Sequence, residues 1–302
     1  MKKLKPNIPT LSPILFRNNF IQNKTDELLN HENITQFFIH SFKEDAVHLN
    51  LPLPPHKNTV NEFVFITNGT MKKNLGIESF QLNKNDFLFT PKNNIASTEY
   101  MSEDLEGFYC HFSDEFVGAN PFLETLKTQI SNQNYLHIPQ EEVDNLVFLL
   151  TRIVKLYKNS NQNPNDFRLL SFYLSTVIAE LFLTFVKQES SAKQNSAILS
   201  KFKKLVNKQF KKNLDISEYA SQLTITPNHL NKIVKNETGK TASQIITEIT
   251  VLEAKVLLLQ TKMTINEISM ELGFTDASYF SRFFKNSNNN SPSNYRKMID
   301  LC

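Results

Sequence analysis

Residues 264–296 read TINEISMELGFTDASYFSRFFKNSNNNSPSNYR, and this stretch decides how the rest of the chain is understood. Ile265, Ile268, Leu272 and Phe274 are spaced to line one face of a short helix and its exit. Gly273 stands where the chain must turn, and glycine tolerates positive φ. Thr275 or Asp276 is placed to cap a second helix whose later positions Phe280, Phe283 and Phe284 are apolar. Helix, tight turn and helix make a helix-turn-helix pattern, whose second helix enters the DNA major groove. Its wet face carries Ser278, Tyr279, Ser281, Arg282 and Lys285, groups suited to base edges and phosphates.

One such pattern is weak, because many helical pairs resemble it. Here it occurs twice. Residues 216–235, ISEYASQLTITPNHLNKIVK, repeat it. Ile216 answers Ile265, Glu218 answers Glu267, Leu223 answers Leu272 and Thr226 answers Thr275. After one inserted residue Leu230 answers Phe280, Lys232 answers Arg282 and Lys235 answers Lys285. Matching basic positions in both copies are not explained by packing alone.

Residues from about Leu214 to Arg296 resemble the DNA-binding domain of the AraC/XylS family of bacterial transcription regulators. The resemblance is carried by Gly239 in NETGK, by LEAKVLLL at 252–259, and by ELGFTDASYFSRFFK with Ser291-Pro292 and Tyr295-Arg296. It implies two helix-turn-helix units joined by a long helix, with recognition helices in successive major grooves about 34 Å apart. Three departures stand out. Thr224 replaces the glycine usual in the first turn, Thr250 replaces an arginine of the joining helix, and Asn288-Asn289 replace an aromatic-glycine pair.

The expected base contacts are Asn228, His229, Asn231 and Lys232 in the first unit, and Ser278, Ser281 and Arg282 in the second. Asn pairs bidentately with adenine, and Lys and Arg favour guanine. Arg282 also aligns with a base-reading position of the family. Thr226, Lys235, Thr275 and Lys285 are expected on phosphates, which give affinity without sequence preference.

A chain of 302 residues suggests about two domains. Residues 195–302 hold 15 Lys and Arg against 9 Asp and Glu, whereas the remainder is mildly acidic. That asymmetry fits a DNA-binding module joined to a different unit. No charge-free apolar run reaches the ~18–20 residues of a membrane span. The N-terminal MKKLKPNIPTLSP lacks the apolar core of a secretion signal. Cys110 and Cys302 have no metal-type spacing, so a reduced cytoplasmic setting is expected.

Residues 1–60 read as irregular around Pro6, Pro9, Pro13, Pro52, Pro54 and Pro55, apart from a strand at ITQFFIHSF (34–42). NEFVFIT, LGIESFQL, FLFTP and GFYCHFS then read as short strands between Asn/Gly turns, the signature of a small barrel or sandwich. Asp86 before FLFTP, followed by LEGFYCHFSDEF, resembles the cupin-like sensor domain at the front of many AraC-type regulators. Catalytic cupins hold a metal with a His-x-His pair, and none of the seven histidines here makes one. No metal and no cofactor are expected. His56 reads as a surface or pocket-rim residue, with Glu62 its companion in an effector pocket.

The remaining segments read as helices at 121–130, 141–159 and 166–188. The last is apolar on most sides and suggests a homodimer interface, as is common in the family. The fold expectation is α+β. A cupin-like barrel spans 1–120, a helical dimerisation segment 121–188, a linker 189–197, and an all-α double helix-turn-helix domain 198–302. The function expected is a cytoplasmic, effector-responsive transcription activator, not an enzyme, with promoter DNA, RNA polymerase and a small molecule as partners. Two rivals are a metal-dependent cupin enzyme and an interaction protein with a degraded DNA-binding domain.

Overall fold

A computed structural model describes residues 10–22, 28–43, 49–124, 135–160, 164–189, 194–212 and 214–300. It falls into two compact units, Leu11–Ser191 and a second that holds Ala192–Cys302.

The first unit opens with helix α1 (Pro13–Phe20), capped by the Ser12 hydroxyl. The strands are β1 (Phe37–Ser41), β2 (Leu53–Lys57), β3 (Asn61–Asn68), β4 (Met71–Leu75), β5 (Glu78–Leu82), β6 (Asp86–Thr90), β7 (Ile95–Met101), β8 (Glu106–Phe112) and β9 (Tyr135–His137). They form two antiparallel sheets, ordered β1-β8-β3-β6-β9 and β2-β7-β4-β5. A one-turn helix α2 (Asp114–Val117) follows β8, and α3 (Gln140–Asn159) and α4 (Pro164–Glu189) close the unit.

The two-residue period of a strand divides the five-stranded sheet into two apolar faces. Phe37 and Ile39 of β1, Phe63 and Phe65 of β3, Phe87 and Phe89 of β6, and Phe108, Cys110 and Phe112 of β8 point one way. They share a core with Leu146, Leu150, Ile153 and Tyr157 of α3 and Leu174, Val177 and Phe185 of α4. The alternate residues point into the barrel, among them Val64, Ile66 and Leu88, which join Met71 and Leu82 of the other sheet. This is why NEFVFIT and FLFTP are continuously apolar: both faces are covered.

Not every inward residue is apolar. The carboxylate of Glu62 meets the Lys73 ammonium at 3.0 Å, with both side chains nearly inaccessible to water. Asn58 Nδ2 and Tyr109 Oη donate to Glu62 Oε2 at 3.0 and 3.1 Å. Burial pushes the Glu62 carboxyl up, but Lys73, His56 and these hydrogen bonds together hold it below its ordinary value.

The structure corrects several expectations. The described residues up to 60 are less irregular than the prolines suggested: α1 starts at Pro13, the N-terminal position that a proline suits, and Pro54 and Pro55 lie inside β2, an edge strand; Pro6 and Pro9 lie outside the described residues. Of LGIESFQL, Leu75 ends β4, Gly76 at φ +58° turns the chain, and only Glu78–Leu82 forms β5. MKKNL and IASTEYM form strands that their polar residues concealed. Of the segment 121–130, residues 121–124 are helical and the rest lie outside the described residues.

Helix α4 buries Leu170, Leu174, Val177, Ile178, Leu181 and Phe185 but exposes Leu169, Phe172, Leu183 and Val186. By length and composition alone, Asn165–Lys187 would also suffice to cross a membrane. Among the described residues the second unit holds helices and no strand: α5 (Gln194–Gln209), a 3-10 turn at Phe210–Lys212, α6 (Ile216–Gln222), α7 (Pro227–Thr238), α8 (Ala242–Gln260), α9 (Ile265–Glu271), α10 (Ala277–Asn288) and α11 (Pro292–Asp300). The start of α5 at Gln194 lies inside the stretch expected as linker.

Removing one partner of a buried ion pair leaves an uncompensated charge. Lys73→Met should therefore cost about 3–5 kcal/mol at neutral pH. Glu62 has a depressed value in the fold, so its contribution is present above the ordinary carboxylate range and is lost as pH falls through the folded value. The gap between Lys73→Met and the parent should narrow towards pH 4 in urea unfolding followed by circular dichroism. An equal gap at both pH values would contradict this account of the pair.

Candidate nucleic-acid interface

Both helix-turn-helix units begin with the same device. Asp215 accepts from Glu218 N while the Glu218 side chain accepts from Asp215 N, and Thr264 and Glu267 repeat this reciprocal capping box. Both units then turn identically. Thr224 N donates to Ser221 O and Ile225 N to Ala220 O; Gly273 N donates to Met270 O and Phe274 N to Ser269 O. The turning residues sit at φ +59° and +87°. Thr224 thus holds the left-handed conformation that a β-branched residue disfavours, and the substitution leaves the turn unchanged.

Gly273 has a further reason to lack a side chain. A Cβ there would lie 2.2 Å from the Lys211 carbonyl oxygen. Lys211 also ion-pairs with Glu271. The 3-10 turn that precedes the first unit is therefore packed directly onto the turn of the second. No local sequence signal marks this packing, because Lys211 and Glu271 lie 60 residues apart.

The recognition helices α7 and α10 are capped one register step apart from the pairing read in sequence. Thr226 Oγ1 accepts from His229 N. In the second copy Asp276, not Thr275, is the cap, accepting from Ser278 N and Tyr279 N at 3.0 Å. Thr275 is the inserted residue. These backbone hydrogen bonds, aided by Arg282, hold the Asp276 carboxyl below its ordinary value. Both helices end on left-handed residues, Gly239 at φ +71° and Asn289 at +58°, so the asparagine pair preserves the stop.

Burial follows the same pattern in both copies. Leu230 and Val234 are buried, as are Phe280 and Phe284. Asn228, His229, Lys232 and Lys235 are exposed on α7, and Ser278, Tyr279, Arg282 and Lys285 on α10. Asn231 and Ser281 are half-buried at the edge of these faces. Asn231 Oδ1 accepts from Ala242 N at the start of α8, so part of the capacity expected to read adenine anchors the joining helix.

The cations divide into two groups. Lys211 pairs with Glu271 and Lys240 with Glu248. Lys232, Lys235, Arg282 and Lys285, at matched positions of the repeat, have no ion pair among the described residues. Thr250, expected to lose a charged contact, is buried and donates to Ile246 O within its own helix. Arg296 donates to Leu258 O and Met263 O at 3.1 and 2.7 Å, tying α11 to the exit of α8.

The two residues expected in an effector pocket also come together. His56 and Glu62 line one cavity inside the barrel, with aromatic walls that include Phe16, Phe38 and Tyr109. His56 is not at a rim: it is 1% exposed, its Nδ1 bonds Pro54 O at 2.7 Å, and Phe16 and Phe20 flank its ring. Burial holds its imidazole below the ordinary value. His111 bonds Ile34 O at 2.7 Å, and burial lowers it to about 4. Helix α1 covers the cavity through Pro13, Phe16 and Arg17. Cys110 is buried on the opposite face of β8, where burial pushes its thiol well up.

Residues 219–298 match a family described as a helix-turn-helix domain. The Msm operon regulatory protein of Streptococcus mutans is 25% identical over 238 residues, covering 78% of this chain and 83% of its own. The HTH-type transcriptional activator RhaR of Mannheimia succiniciproducens is 21% identical over 256 residues, 82% of this chain and 89% of its own. Among solved structures, the C-terminal domain of AraT from Geobacillus stearothermophilus is 30% identical, spanning 35% of this chain and 88% of that one, with a TM-score of 0.34.

The two turns predict opposite responses to exchange. Thr224→Gly relieves a strained backbone and should stabilise the second unit by about 1 kcal/mol. Gly273→Ala adds a side chain at positive φ against a backbone oxygen and should destabilise by about 2–4 kcal/mol. Urea midpoints of the full chain decide it, and equal responses would contradict the different packing of the two turns.

Proposed function

We propose, from the premise that the chain belongs to the AraC family of DNA-binding transcription regulators, that both of its recognition helices read a promoter and that its barrel senses a small molecule. The observation that carries this is the duplicated surface. Two helices with matched burial and similarly placed caps present unpaired cations at the same positions. Cations on a wet helix face without an ion pair add little to stability, whereas on DNA each replaces a condensed counterion.

On this reading Asn228, His229, Lys232, Ser278 and Arg282 face bases, with Asn231 and Ser281 at the margin. Lys235 and Lys285 face phosphates, joined by Thr226 and Thr275 at the helix starts. Arg282 has the planar fork that suits guanine O6 and N7, while the lysines act as point charges. The protein works in the cytoplasm, where its promoter is. Activation, through contact with RNA polymerase, is the outcome supported by relatives that carry the word activator in their names.

The barrel cavity is the effector site of this reading, with His56 and Glu62 in its wall. The cupin-like unit spans 1–120 and the helical segment 121–188, and the DNA-binding domain begins with α5 at Gln194. The protein acts as a homodimer. Leu169, Phe172, Leu183 and Val186 follow one another at spacings of three, eleven and three residues on α4, which keeps them on one side of the helix, with the small residues Thr176 and Ala179 between them. Phe172 is 71% exposed, which a second copy would cover.

Arg282→Ala should weaken specific binding by about 1–3 kcal/mol and relax preference at one base, whereas Lys285→Ala should weaken all sequences alike and reduce the salt slope by about one. Titrations of promoter and scrambled DNA at several salt concentrations separate the two, and a sequence-selective loss for Lys285→Ala would reverse the assignment. For the dimer, Phe172→Glu with Leu183→Glu should give a monomer in sedimentation velocity. A parent chain that sediments as a monomer would refute the seam.

A further inference from the structure

Two recognition helices read one duplex only if their separation matches it, and the joining helix does not fix that separation alone. Each helix-turn-helix unit is tied to its own end of α8. Asn231 Oδ1 of α7 accepts from Ala242 N at the start, and Arg296 of α11 donates to Leu258 O near the exit. Along α8 between these ties, Ile246 and Thr250 line a cavity of about 330 Å³ together with Phe210, Leu214, Phe274 and Phe283. At roughly 10–15 Å³ per water this holds upwards of about twenty waters, whereas a close-packed interior leaves few voids larger than one. A straight helix resists bending, but it does not stop the bundles at its two ends from rolling about it.

The 3-10 turn Phe210–Lys212 bridges the two helix-turn-helix units beside this cavity. Its root belongs to the first. Phe210 is buried, and Gln209, one residue earlier, donates through Nε2 to Gln222 Oε1 of α6 at 2.9 Å. Its tip meets the second. The Lys211 carbonyl oxygen lies so close to Gly273 that a Cβ would come within 2.2 Å of it, and the Lys211 ammonium pairs with Glu271. Gly273 holds the conformation that directs α10, so this strut bears on the point from which the second recognition helix departs.

The position of Glu271 points the same way. It ends α9, where a carboxylate opposes the helix dipole, and its side chain is only 13% exposed. Both features are unfavourable for a carboxylate without a cation beside it. Lys211 supplies that cation, so the strut accounts for an acid that the helix carrying it does not favour.

Adding one base pair between two half-sites moves them apart by about 3.4 Å and turns one about the other by roughly 34–36°. Following that displacement would lift Gly273 off the Lys211 carbonyl and part the ion pair. We infer that Lys211 and Glu271 are positioning residues that fix, to one base pair, the separation of the two half-sites the protein reads. This rests on the reading of both recognition helices as DNA-reading.

Selection of sites from random duplex DNA by the full chain gives its preferred separation. Competition between that site and versions lengthened or shortened by one base pair then gives a spacing ratio, in which any general loss of affinity or of active protein cancels. Lys211→Met and Glu271→Gln should each lower the ratio about three- to fivefold, the worth of one partly shielded ion pair. The charge swap, Lys211→Glu with Glu271→Lys, should restore most of it. Circular dichroism identifies a variant that fails to fold, and the other single variant then carries the comparison.

Unchanged ratios in the folded single variants overturn the inference. So does a charge swap no better than either of them, or a parent chain that binds all three separations equally. A parent chain that selects no shared sequence, or one half-site only, strikes the reading of two DNA-binding helices, and the inference falls with it.

Discussion

Each DNA-reading helix owes its direction to one residue held at positive φ. Two hydrogen bonds clamp that residue, from its own N–H and from the N–H that follows, and they are the same in both copies. Everything on the recognition helices follows from this turn: which side faces the core, where the cap falls, and which four positions remain wet. That Thr224 occupies the conformation as Gly273 does shows how strongly the surrounding contacts determine it, since threonine gains nothing by itself there. Glycine is required only in the second turn, where the Lys211 carbonyl leaves no room for a side chain.

The front unit depends on a different regularity. Strands covered on both sides place Phe63, Phe65, Phe87 and Phe89 under the helices, and Glu62, Val64 and Leu88 inside the barrel. One set of strands therefore serves both as the platform for α3 and α4 and as the wall of the cavity. The polar residues inside are tolerated because most of them bond one another, although Asn58 Oδ1 has no hydrogen-bond partner among the described residues. Glu62 collects Lys73, Asn58 and Tyr109 around a single carboxylate, which makes the interior rigid and specific at the same time.

The helical half was legible in the sequence because its signals are local. A turn residue and a 3.6-residue period act within a few positions, so the repeat could be read, although its inserted residue is Thr275, which the sequence pairing set against Thr226. Its cap stayed open between Thr275 and Asp276, since both are good caps and only the backbone decides between them. Asn231 was read as open because its role, holding the start of α8, depends on a residue eleven positions away. The barrel was legible only in part. MKKNL and IASTEYM carry polar side chains on their outward faces, and LPPHK carries two prolines, so none of them looked like a strand. His56 was misplaced at a rim because burial of a histidine depends on neighbours such as Phe16 and Phe20, brought from the far side of the chain's first turn.

The central claim is that two copies of one helix pair read one face of the duplex. Hydroxyl-radical footprinting of the full chain on a promoter fragment selected from its host's genome, at about 150 mM salt where non-specific phosphate binding is weak, tests it most directly. Two protected patches on the same face, centred about one helical turn or ~34 Å apart for each bound protomer, are the predicted result. Protection of a single groove, or of patches on opposite faces, would contradict the account.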